Sequence, residues 1–441
     1  MSYRIGMVSL GCAKNLVDTE LMLGQLAAAG FAITPHPEEA DVLIVNTCGF
    51  ITPAKEESID QILEMAQYKR EGRCRVLLVT GCLAQRYSGE LMDEMPEVDG
   101  VLGTGMINRV VDVVRRTLAG ERVVAVGEPG FDYDADLPRI RTTGGHTAYV
   151  KIAEGCSNCC TYCAIPSIRG AYRSRTMESI LQEAKDLALN GVKEVVLVAQ
   201  DTTRYGLDIY GERKLASLLC SLNDLPGIRW IRVLYAHPDG FTDELIDVFS
   251  SCDKVCRYID LPLQHASPVV LARMGRGRSA FKLRELVSKL RRSISGLTLR
   301  TTFMVGFPGE TEEDFRQLLD FMSEMRFERA GVFKFCPEEG TPAAAMTDQV
   351  PEEVKEERYH RAMALQQQIS LEHNRSLVGS LVHVLVEGKK GTRYFGRTEA
   401  DAPEIDGRVY FAGGRASLGP GDFAVVKITR AREYDLMGEL A

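Results

Sequence analysis

The pattern of apolar and polar residues divides the chain into three regions with different periodicities. In the first 125 residues, short apolar runs alternate with stretches in which apolar residues recur every three or four positions. The predicted strands cover residues 3–9, 41–46, 75–80 and 98–102, and helices are predicted at residues 15–29 and from residue 53 onward. Gly30 and Pro53 stand where helices commonly end and begin. This alternation predicts a doubly wound parallel sheet.

A second alternating series runs from residue 148 to residue 371. Six strands are predicted, at residues 148–153, 194–199, 231–234, 258–261, 300–305 and 330–335. Because a barrel of eight βα units needs about 250 residues, this shorter α/β series predicts a partial barrel, (βα)6. Residues 126–147, which include GEPGFDYDADLP and show little periodicity, are predicted to form a linker.

The pattern changes again after a charged amphipathic helix that is predicted at residues 352–377. The stretches LVHVLVEG, RYFGRT, RVYFAG and DFAVVKITRARE alternate with a period of two and are separated by glycines. They predict short antiparallel strands of a small, C-terminal, all-β barrel. The domain boundaries predicted from these patterns are 1–125, 126–147 (linker), 148–371 and 372–441.

Composition and charge narrow the possible functions only a little. A chain of 441 residues is long enough for about three domains. The formal net charge of -8 provides no overall basic field for nucleic acid. The first residues, MSYRIGMVSLGC, lack a basic segment followed by an apolar run, and no apolar stretch is long enough to span a bilayer. We therefore expect a cytoplasmic protein that has no membrane partner.

The chain contains twelve cysteines, which in a reducing compartment more often ligate metals or act in catalysis than form disulfides. In AEGCSNCCTYCAIPSIRG, Cys156, Cys160 and Cys163 have the spacing C-x3-C-x2-C directly after a predicted strand. Three thiolates on one loop can bind three irons of a 4Fe-4S cube and leave the fourth iron open to a small ligand. The alternative is a zinc site, although structural zinc usually has four protein ligands in paired C-x2-C knuckles.

This spacing, with Tyr162 directly before the last cysteine, resembles the signature of the radical S-adenosylmethionine (AdoMet) superfamily. The resemblance implies that AdoMet chelates the open iron and is cleaved to a 5'-deoxyadenosyl radical by an electron from the cluster. It also implies AdoMet contacts by Tyr162, by Gln200 and Asp201 in VLVAQDTTRYG, by the segment TTFMVGFPGETEEDF, and by Phe335 in FKFCPEEGT. Cys159 offers a second C-x3-C pairing with Cys163, but the family spacing places it outside the ligand set.

Three further cysteines, Cys12, Cys48 and Cys82, each follow a predicted strand of the first region. They occupy equivalent positions beyond the carboxyl ends of parallel strands, the edge at which open α/β sheets bind ligands. Independently placed core cysteines would not need equivalent positions, so we predict that these three converge on one metal cluster. Two trios of thiolates predict two 4Fe-4S clusters, or about eight irons per chain.

With SLGCAKNLVDTE, VNTCGF and VTGC around the first trio, the chain resembles the methylthiotransferase family over essentially its whole length. The resemblance implies an N-terminal cluster domain, a radical AdoMet barrel and a C-terminal TRAM domain. It implies that a methyl group is transferred to sulfur at the first cluster, and that the radical made at the second removes hydrogen from an unactivated substrate carbon. That carbon then takes up the methylthio group. We expect a monomer that depends on an external electron donor.

Members of this family modify either an adenosine of transfer RNA or an aspartate of a small-subunit ribosomal protein. Residues 371–441 contain ten Lys or Arg and ten Asp or Glu, whereas an RNA-binding barrel should carry a basic surplus. The acidic stretch GRTEADAPEIDG and the segment CAIPSIRGAYRSR also resemble the ribosomal-protein branch. We therefore predict modification of the β-carbon of an aspartate in small-subunit ribosomal protein twelve, which implies contact with the ribosome.

Two alternatives remain open from the sequence. The first is a transfer-RNA adenosine methylthiotransferase, because a neutral total charge can hide a basic face. The second is a binding protein whose clusters sense redox state, although AdoMet-type barrel segments would have no purpose in such a protein.

Overall fold

The computed structural model describes residues 3–130, 137–277, 282–414 and 417–441. They form three main sheets in three successive regions, in the order that the hydrophobic pattern predicts. Residues 131–136 of the predicted linker lie outside the described residues. Among the helices of the described ranges, none combines the length and the apolar composition needed to cross a bilayer.

The N-terminal region is a sheet of six parallel strands in the order β2-β1-β3-β4-β5-β6. Its elements are β1 (Arg4–Ser9), α1 (Ala13–Ala28), β2 (Ala32–Ile33), β3 (Val42–Thr47), α2 (Thr52–Glu71), β4 (Val76–Gly81), α3 (Cys82–Arg86), α4 (Ser88–Glu94), β5 (Gly100–Leu102), α5 (Val110–Leu118) and β6 (Val123–Ala125). Every residue of β3 and β4 is buried, because helices cover both faces of the sheet. The doubly wound sheet is confirmed; β2 and β6 are too short to give a periodic signal.

The central region is an open sheet of six parallel strands in the order β7-β10-β11-β12-β13-β14, which confirms the partial barrel. Its elements are β7 (Thr147–Lys151), β8 (Ala153–Glu154), α6 (Ile165–Arg169), β9 (Arg173–Ser174), α7 (Met177–Leu189), β10 (Glu194–Val198), α8 (Leu215–Asn223), β11 (Trp230–Val233), α9 (Asp243–Ser251), β12 (Val255–Asp260), α10 (Pro268–Arg273), α11 (Leu283–Ser293), β13 (Thr298–Val305), α12 (Glu312–Met325), β14 (Arg329–Lys334) and α13 (Glu352–Ser376). A short antiparallel pair, β8 and β9, frames the loop that carries the middle cysteines. The sequence pattern does not predict this pair, because each strand has only two residues.

The C-terminal region is a closed barrel of five strands in the order β15-β16-β17-β19-β18. These strands are β15 (Leu381–Lys390), β16 (Arg393–Arg397), β17 (Val409–Ala412), β18 (Phe423–Ala431) and β19 (Leu436–Leu440). The predicted barrel is confirmed, and the four predicted strands pair antiparallel with one another, whereas the unpredicted fifth strand pairs parallel with β17. A closed barrel with an odd number of strands cannot alternate direction at every pair. The fifth strand, β19, escapes prediction because LMGEL is short and has a central glycine.

The segment between β16 and β17, residues 398–408, packs against the face of the central sheet opposite its helices, and we call it the docking loop. Asp401 accepts a hydrogen bond from Arg329 Nη2 at 2.8 Å, and Asp406 accepts one from the Tyr258 hydroxyl at 2.6 Å. The side chains of these aspartates are 3% and 5% exposed. The acidic stretch that the sequence places in this loop therefore directs these two carboxylates inward, where Arg329 pairs with Asp401 and Arg300 Nε lies 3.8 Å from Asp406.

Candidate functional site

Three cysteines converge at the carboxyl edge of the N-terminal sheet. Cys12 follows β1, Cys48 follows β3, and Cys82 opens α3 directly after β4. Burial is the main cause that raises the pKa of the Cys48 thiol to about 11, and the neighbouring Cys82 and Cys12 add to the increase. Burial also acts to raise the pKa of the Cys12 thiol, but the charges of Lys14 and Arg169, together with backbone hydrogen bonds from Lys14 and Asn15, hold that pKa below its usual value. The three thiols thus form one electrostatically coupled group.

Each cysteine of this first trio has a glycine neighbour that permits the three cysteine loops to approach one another. Gly11 has φ +84, and a Cβ added there would lie only 3.1 Å from Cys48 Sγ. Gly81 has φ +94, and its Cβ would lie 2.4 Å from the carbonyl oxygen of Thr47. At Gly49, a Cβ would lie 2.7 Å from the backbone nitrogen of the residue after Cys82. Sequence reasoning missed this role, although glycine beside each cysteine in LGC, CGF and TGC was the available signal.

Two polar side chains hold the loops of the first trio. The backbone N–H of Cys48 donates to Ser58 Oγ at 3.0 Å, and that hydroxyl donates to the carbonyl oxygen of Cys48 at 2.9 Å. Asn15 Nδ2 donates to the carbonyl oxygens of Leu10 at 2.7 Å and of Thr47 at 3.3 Å. Asn15 therefore ties the end of β1 to the end of β3, directly behind the cysteines.

The second trio, Cys156, Cys160 and Cys163, lies on the loop between β8 and α6. Burial is the main cause that raises the pKa of the Cys163 thiol to about 12, and Cys160 and Cys156 add to it. The thiols of this trio are therefore also electrostatically coupled. Cys159, whose exclusion from the ligand set is predicted, is exposed. Its carbonyl oxygen would meet a Cβ on Gly275 at 2.5 Å, so the Cys159 backbone packs closely against the turn after α10.

Side chains from several barrel segments hold the loop of the second trio. Thr161 Oγ1 donates to the carbonyl oxygen of Arg273 at 2.8 Å. Asn158 Nδ2 donates to Asp201 Oδ2 at 3.0 Å, and the other carboxylate oxygen of Asp201 accepts from the backbone and hydroxyl of Thr203. Asp201, a predicted AdoMet contact, is thus used to hold the cysteine loop in this structure.

The other predicted AdoMet contacts have different surroundings. Tyr162 packs against the barrel core beside Arg276, and burial raises the pKa of its hydroxyl. Gln200 Nε2 donates to Glu154 Oε1 at 3.4 Å, and Gln200 Oε1 is buried without a hydrogen-bond partner among the described residues. Phe335 is buried edge-on against Phe307, with ring centroids 5.2 Å apart. Gln200 therefore has a free buried acceptor that could receive a ligand donor, and AdoMet contact by all four residues stays a prediction.

A buried ionic network lies between the two trios. Asp18 of α1 and Glu154 of β8 both accept from Lys151 and from Arg169. Arg169 Nη2 also lies 3.6 Å from Cys82 Sγ. All four members are at least four-fifths buried in their side chains. Sequence reasoning missed this network because its members come from separate regions, and the only local signal was the arginine in IPSIRG.

A second bridge between the regions lies beside Cys12. The ammonium group of Lys14 is 3.3 Å from the centroid of the Tyr235 ring. Tyr235 follows β11 and has φ +60, a backbone conformation that a tyrosine rarely adopts. Such strain commonly persists where surrounding structure enforces it near functional sites. The N-terminal region is therefore attached to the carboxyl edge of the barrel at the first trio.

The chemistry of the donors fits iron-sulfur clusters. Within the described ranges, no three or more His, Cys, Asp or Glu side chains are arranged to hold a single metal ion. The thiolates of a cube bind different irons, so its ligand sulfurs stand further apart than the ligands of one ion. Metal coordination also favours the thiolate form, which offsets the raised pKa values of Cys48 and Cys163. The donor chemistry of each trio, three cysteine thiols on neighbouring loops or on one loop, is that of a cube with three cysteine ligands.

Three families match consecutive parts of the chain. Residues 4–103 match the family described as "Uncharacterized protein family UPF0004", residues 150–322 match the "Radical SAM superfamily", and residues 378–441 match the "TRAM domain". The central region is thus a radical AdoMet domain and the terminal barrel is a TRAM domain.

Relatives that match over the full length identify the family more specifically than the three separate domain matches do. The chain is 57% identical over its whole length to the "Ribosomal protein uS12 methylthiotransferase RimO" of Pelotomaculum thermopropionicum, of which it covers 99%. It is 50% identical to the protein of the same name from Geobacter sulfurreducens, with 99% of this chain and 98% of that protein covered. The chain belongs to the RimO family. This membership agrees with the methylthiotransferase resemblance that the cysteine motifs indicate.

Solved structures show how widely the RimO family fold is shared. The radical AdoMet methyltransferase TsrM from Kitasatospora setae, solved with cobalamin and a [4Fe-4S] cluster, matches with a TM-score of 0.59 at 14% identity, over 89% of this chain and 78% of that chain. The cobalamin-dependent radical enzyme OxsB, solved with AdoMet, matches with a TM-score of 0.53 at 13% identity, over 83% of this chain and 56% of that chain. At these identities the likeness concerns the fold alone.

Proposed function

We propose that this chain is a methylthiotransferase that inserts a methylthio group at the β-carbon of an aspartate in ribosomal protein uS12. The observation that carries the proposal is identity of 50% or more, over the full length, to proteins named for that activity. Convergence of Cys12, Cys48 and Cys82 supports it independently, because cleavage of AdoMet requires only the central trio and leaves a second group of thiolates to serve another step.

We propose that the first trio holds one 4Fe-4S cluster and that Cys156, Cys160 and Cys163 hold a second, to which AdoMet binds. When bound, the clusters and AdoMet supply the electron, the radical and the methylthio group, which no side chain can provide. Tyr162, Gln200, Asp201 and Phe335 are the proposed AdoMet contacts. Gln200 offers the buried acceptor described above, whereas Asp201 acts by holding the cysteine loop through Asn158.

Access to the first trio is proposed to run through an open recess of about 250 Å³ that borders Cys12. Its lining includes Ser9, Thr142 and the docking-loop residue Glu404. Glu404 is exposed, has φ +64, and makes no hydrogen bond or ion pair with any described residue. A free carboxylate at this rim suits the approach of a basic substrate such as a ribosomal protein.

We propose the domain boundaries 1–125, 148–371 and 372–441, with the linker at 126–147. The matched family ranges fall inside these boundaries. The described part of the linker makes specific contacts: Arg139 donates to Glu20 and to Glu183. We further propose a cytoplasmic monomer that contacts the ribosome and receives electrons from an external donor.

The test incubates the anaerobically reconstituted protein, a reductant and AdoMet with small ribosomal subunits and, separately, with transfer RNA. Peptide mass spectrometry should show a gain equivalent to CH2S on one aspartate of uS12. A chain with Cys12, Cys48 and Cys82 replaced by alanine should still cleave AdoMet but should add no methylthio group. The matched control is Cys220→Ala, which removes an exposed thiol of α8 and should behave like the unsubstituted protein. Modification of transfer RNA alone would reject the proposed substrate.

A further inference from the structure

A buried arginine connects the two cysteine trios. Arg169 ends α6, the helix that follows the second trio, and its side chain is 2% exposed. Its Nη1 donates to Asp18 Oδ2 at 3.0 Å and to both carboxylate oxygens of Glu154 at 3.1 Å. Asp18 belongs to α1, which begins directly after Cys12, and Glu154 lies two residues before Cys156. The guanidinium group is therefore held by one carboxylate from each cysteine-bearing region.

The other end of the same guanidinium group reaches the first trio. Nη2 lies 3.6 Å from Cys82 Sγ and 3.3 Å from Asn15 Oδ1. Ala164 and Ile168, which precede Arg169, pack against Cys82 in a small buried cluster. The segment after the second trio is thus the wall against which a ligand of the first trio rests, and Arg169 is its charged contact with that ligand.

The charges around Arg169 are balanced when it is present. Lys151 pairs with both Asp18 and Glu154, so two cations face two carboxylates in a buried site. Loss of Arg169 would leave an excess negative charge next to Cys82. In a weakly polar interior such a charge acts more strongly than in water, and it disfavours addition of an electron nearby.

We propose that Arg169 is a positioning residue that stabilises the reduced form of the first cluster, and this proposal rests on the two-cluster function above. A fixed N–H donor to a cluster sulfur, together with its positive charge, raises the reduction potential of the cluster. Lysine cannot replace it fully. The planar fork of arginine contacts two carboxylates, an amide oxygen and a sulfur together, whereas an ammonium group is a point charge with three donors.

The test measures the midpoint potential of the first cluster by a redox titration followed by EPR spectroscopy. It uses the full chain with Cys156, Cys160 and Cys163 replaced by alanine, so that only the first trio binds iron. Arg169→Met should lower the midpoint potential, and Arg169→Lys should lower it less. The matched control is Arg173→Gln on β9, because Arg173 and Arg169 line one small pocket, but the guanidinium group of Arg173 donates to backbone carbonyl oxygens. The control should leave the potential unchanged at equal iron content.

Three results would overturn the role of Arg169. These are an unchanged potential in the Arg169→Met chain, an equal decrease in the Arg173→Gln chain, and loss of iron from both Arg169 variants but not from the control. The last result would show that Arg169 has only a structural role. Absence of iron from the first trio before any arginine is replaced would instead contradict the two-cluster function, so the two failures are distinguishable.

Discussion

Arg397, the last residue of β16, donates from Nη2 to Glu194 Oε2 at 2.5 Å, and both side chains are at most 1% exposed. Arg232 of β11 donates to the other carboxylate oxygen of Glu194 at 2.8 Å. The TRAM domain is thus joined to the radical AdoMet sheet by an ionic contact from which water is excluded. This contact fixes the docking loop at the rim of the recess beside Cys12.

Arg397→Met should destabilise the protein strongly. Removing one partner of a buried ion pair leaves an uncompensated charge and typically costs about 3 to 5 kcal/mol. We expect this loss in the free energy of unfolding, measured with urea. Arg393→Met, an exposed position on the same strand, should change it by less than about 0.5 kcal/mol. Equal effects of the two substitutions would contradict the structural role of the pair.

The contribution of Glu194 to the free energy of unfolding should depend on pH within a defined window. Burial acts to raise the pKa of this carboxyl, but Arg397 and Arg232 outweigh burial and lower it to about 2 from an ordinary value of 4.5. Because the folded-state pKa is depressed, the stabilisation is complete above pH 4.5 and is lost as the pH falls toward 2. Its size is about 3 kcal/mol. The difference in unfolding free energy between the unsubstituted chain and Glu194→Gln should shrink across this window; a constant difference would disprove the assignment.

Gly11→Ala should remove the first cluster and spare the second. The added Cβ would lie 2.8 Å from Cys48 Cβ, so the two cysteine loops would have to separate. The iron content, measured by iron and sulfide analysis, should fall from about eight to about four irons per chain. Gly191→Ala is the control, because Gly191 has a similar φ of +87 but no atom within 4 Å of the added Cβ. Full iron in the Gly11→Ala chain would refute the proposed ligand geometry.

Asn158→Ala should slow AdoMet cleavage while the second cluster still binds iron. The substitution removes the hydrogen bond to Asp201 and loosens the cysteine loop, and misplacement by a fraction of an ångström costs about tenfold in rate. The measurement is 5'-deoxyadenosine formation at matched iron content. Asn190→Ala, which removes an exposed side chain at the end of α7, should not alter the rate. An unaffected rate in the Asn158→Ala chain would show that this anchor is dispensable.

Glu404→Lys should weaken the use of ribosomal subunits without changing AdoMet cleavage in their absence. The substitution reverses the charge at the rim of the recess, so it should slow association with a basic substrate, and most of all at low salt. The KM for subunits is expected to rise about tenfold. Glu94→Lys, at an exposed position of α4, is the charge-matched control. An unchanged KM for Glu404→Lys would show that the substrate does not approach through this recess.

The sequence predicts both the sheets and the positions of the proposed ligand cysteines, because buried parallel strands are recognisable along the chain. Buried parallel strands such as VLIVNT and VLLVTG are continuous apolar runs, and their ends are visible in the sequence. Cys48 and Cys82 could be assigned to one sheet edge because each follows such a run directly. The prediction was less complete where strands are short, as in β8, β9 and β19, because two to five residues carry too little periodicity.

The charge balance of the TRAM domain in the sequence is not the same quantity as the charge balance of its surface. Asp401 and Asp406 are buried against Arg329 and Tyr258 of the central sheet, and Arg397 is buried against Glu194. A sum over a sequence cannot separate carboxylates that face solvent from those that neutralise an internal cation, and full-length relatives are what support the ribosomal substrate.

The sequence by itself determined the order of the three regions, the positions of the two cysteine trios after predicted strands, and the radical AdoMet motif. These are local properties, since periodicity and spacing are encoded within about ten residues. Only the tertiary structure decided that Arg169 contacts Cys82, that Lys14 lies on Tyr235 and that Arg397 pairs with Glu194. Each of these contacts joins residues that are 87 or more positions apart, and Coulombic and packing energies depend on distance in space.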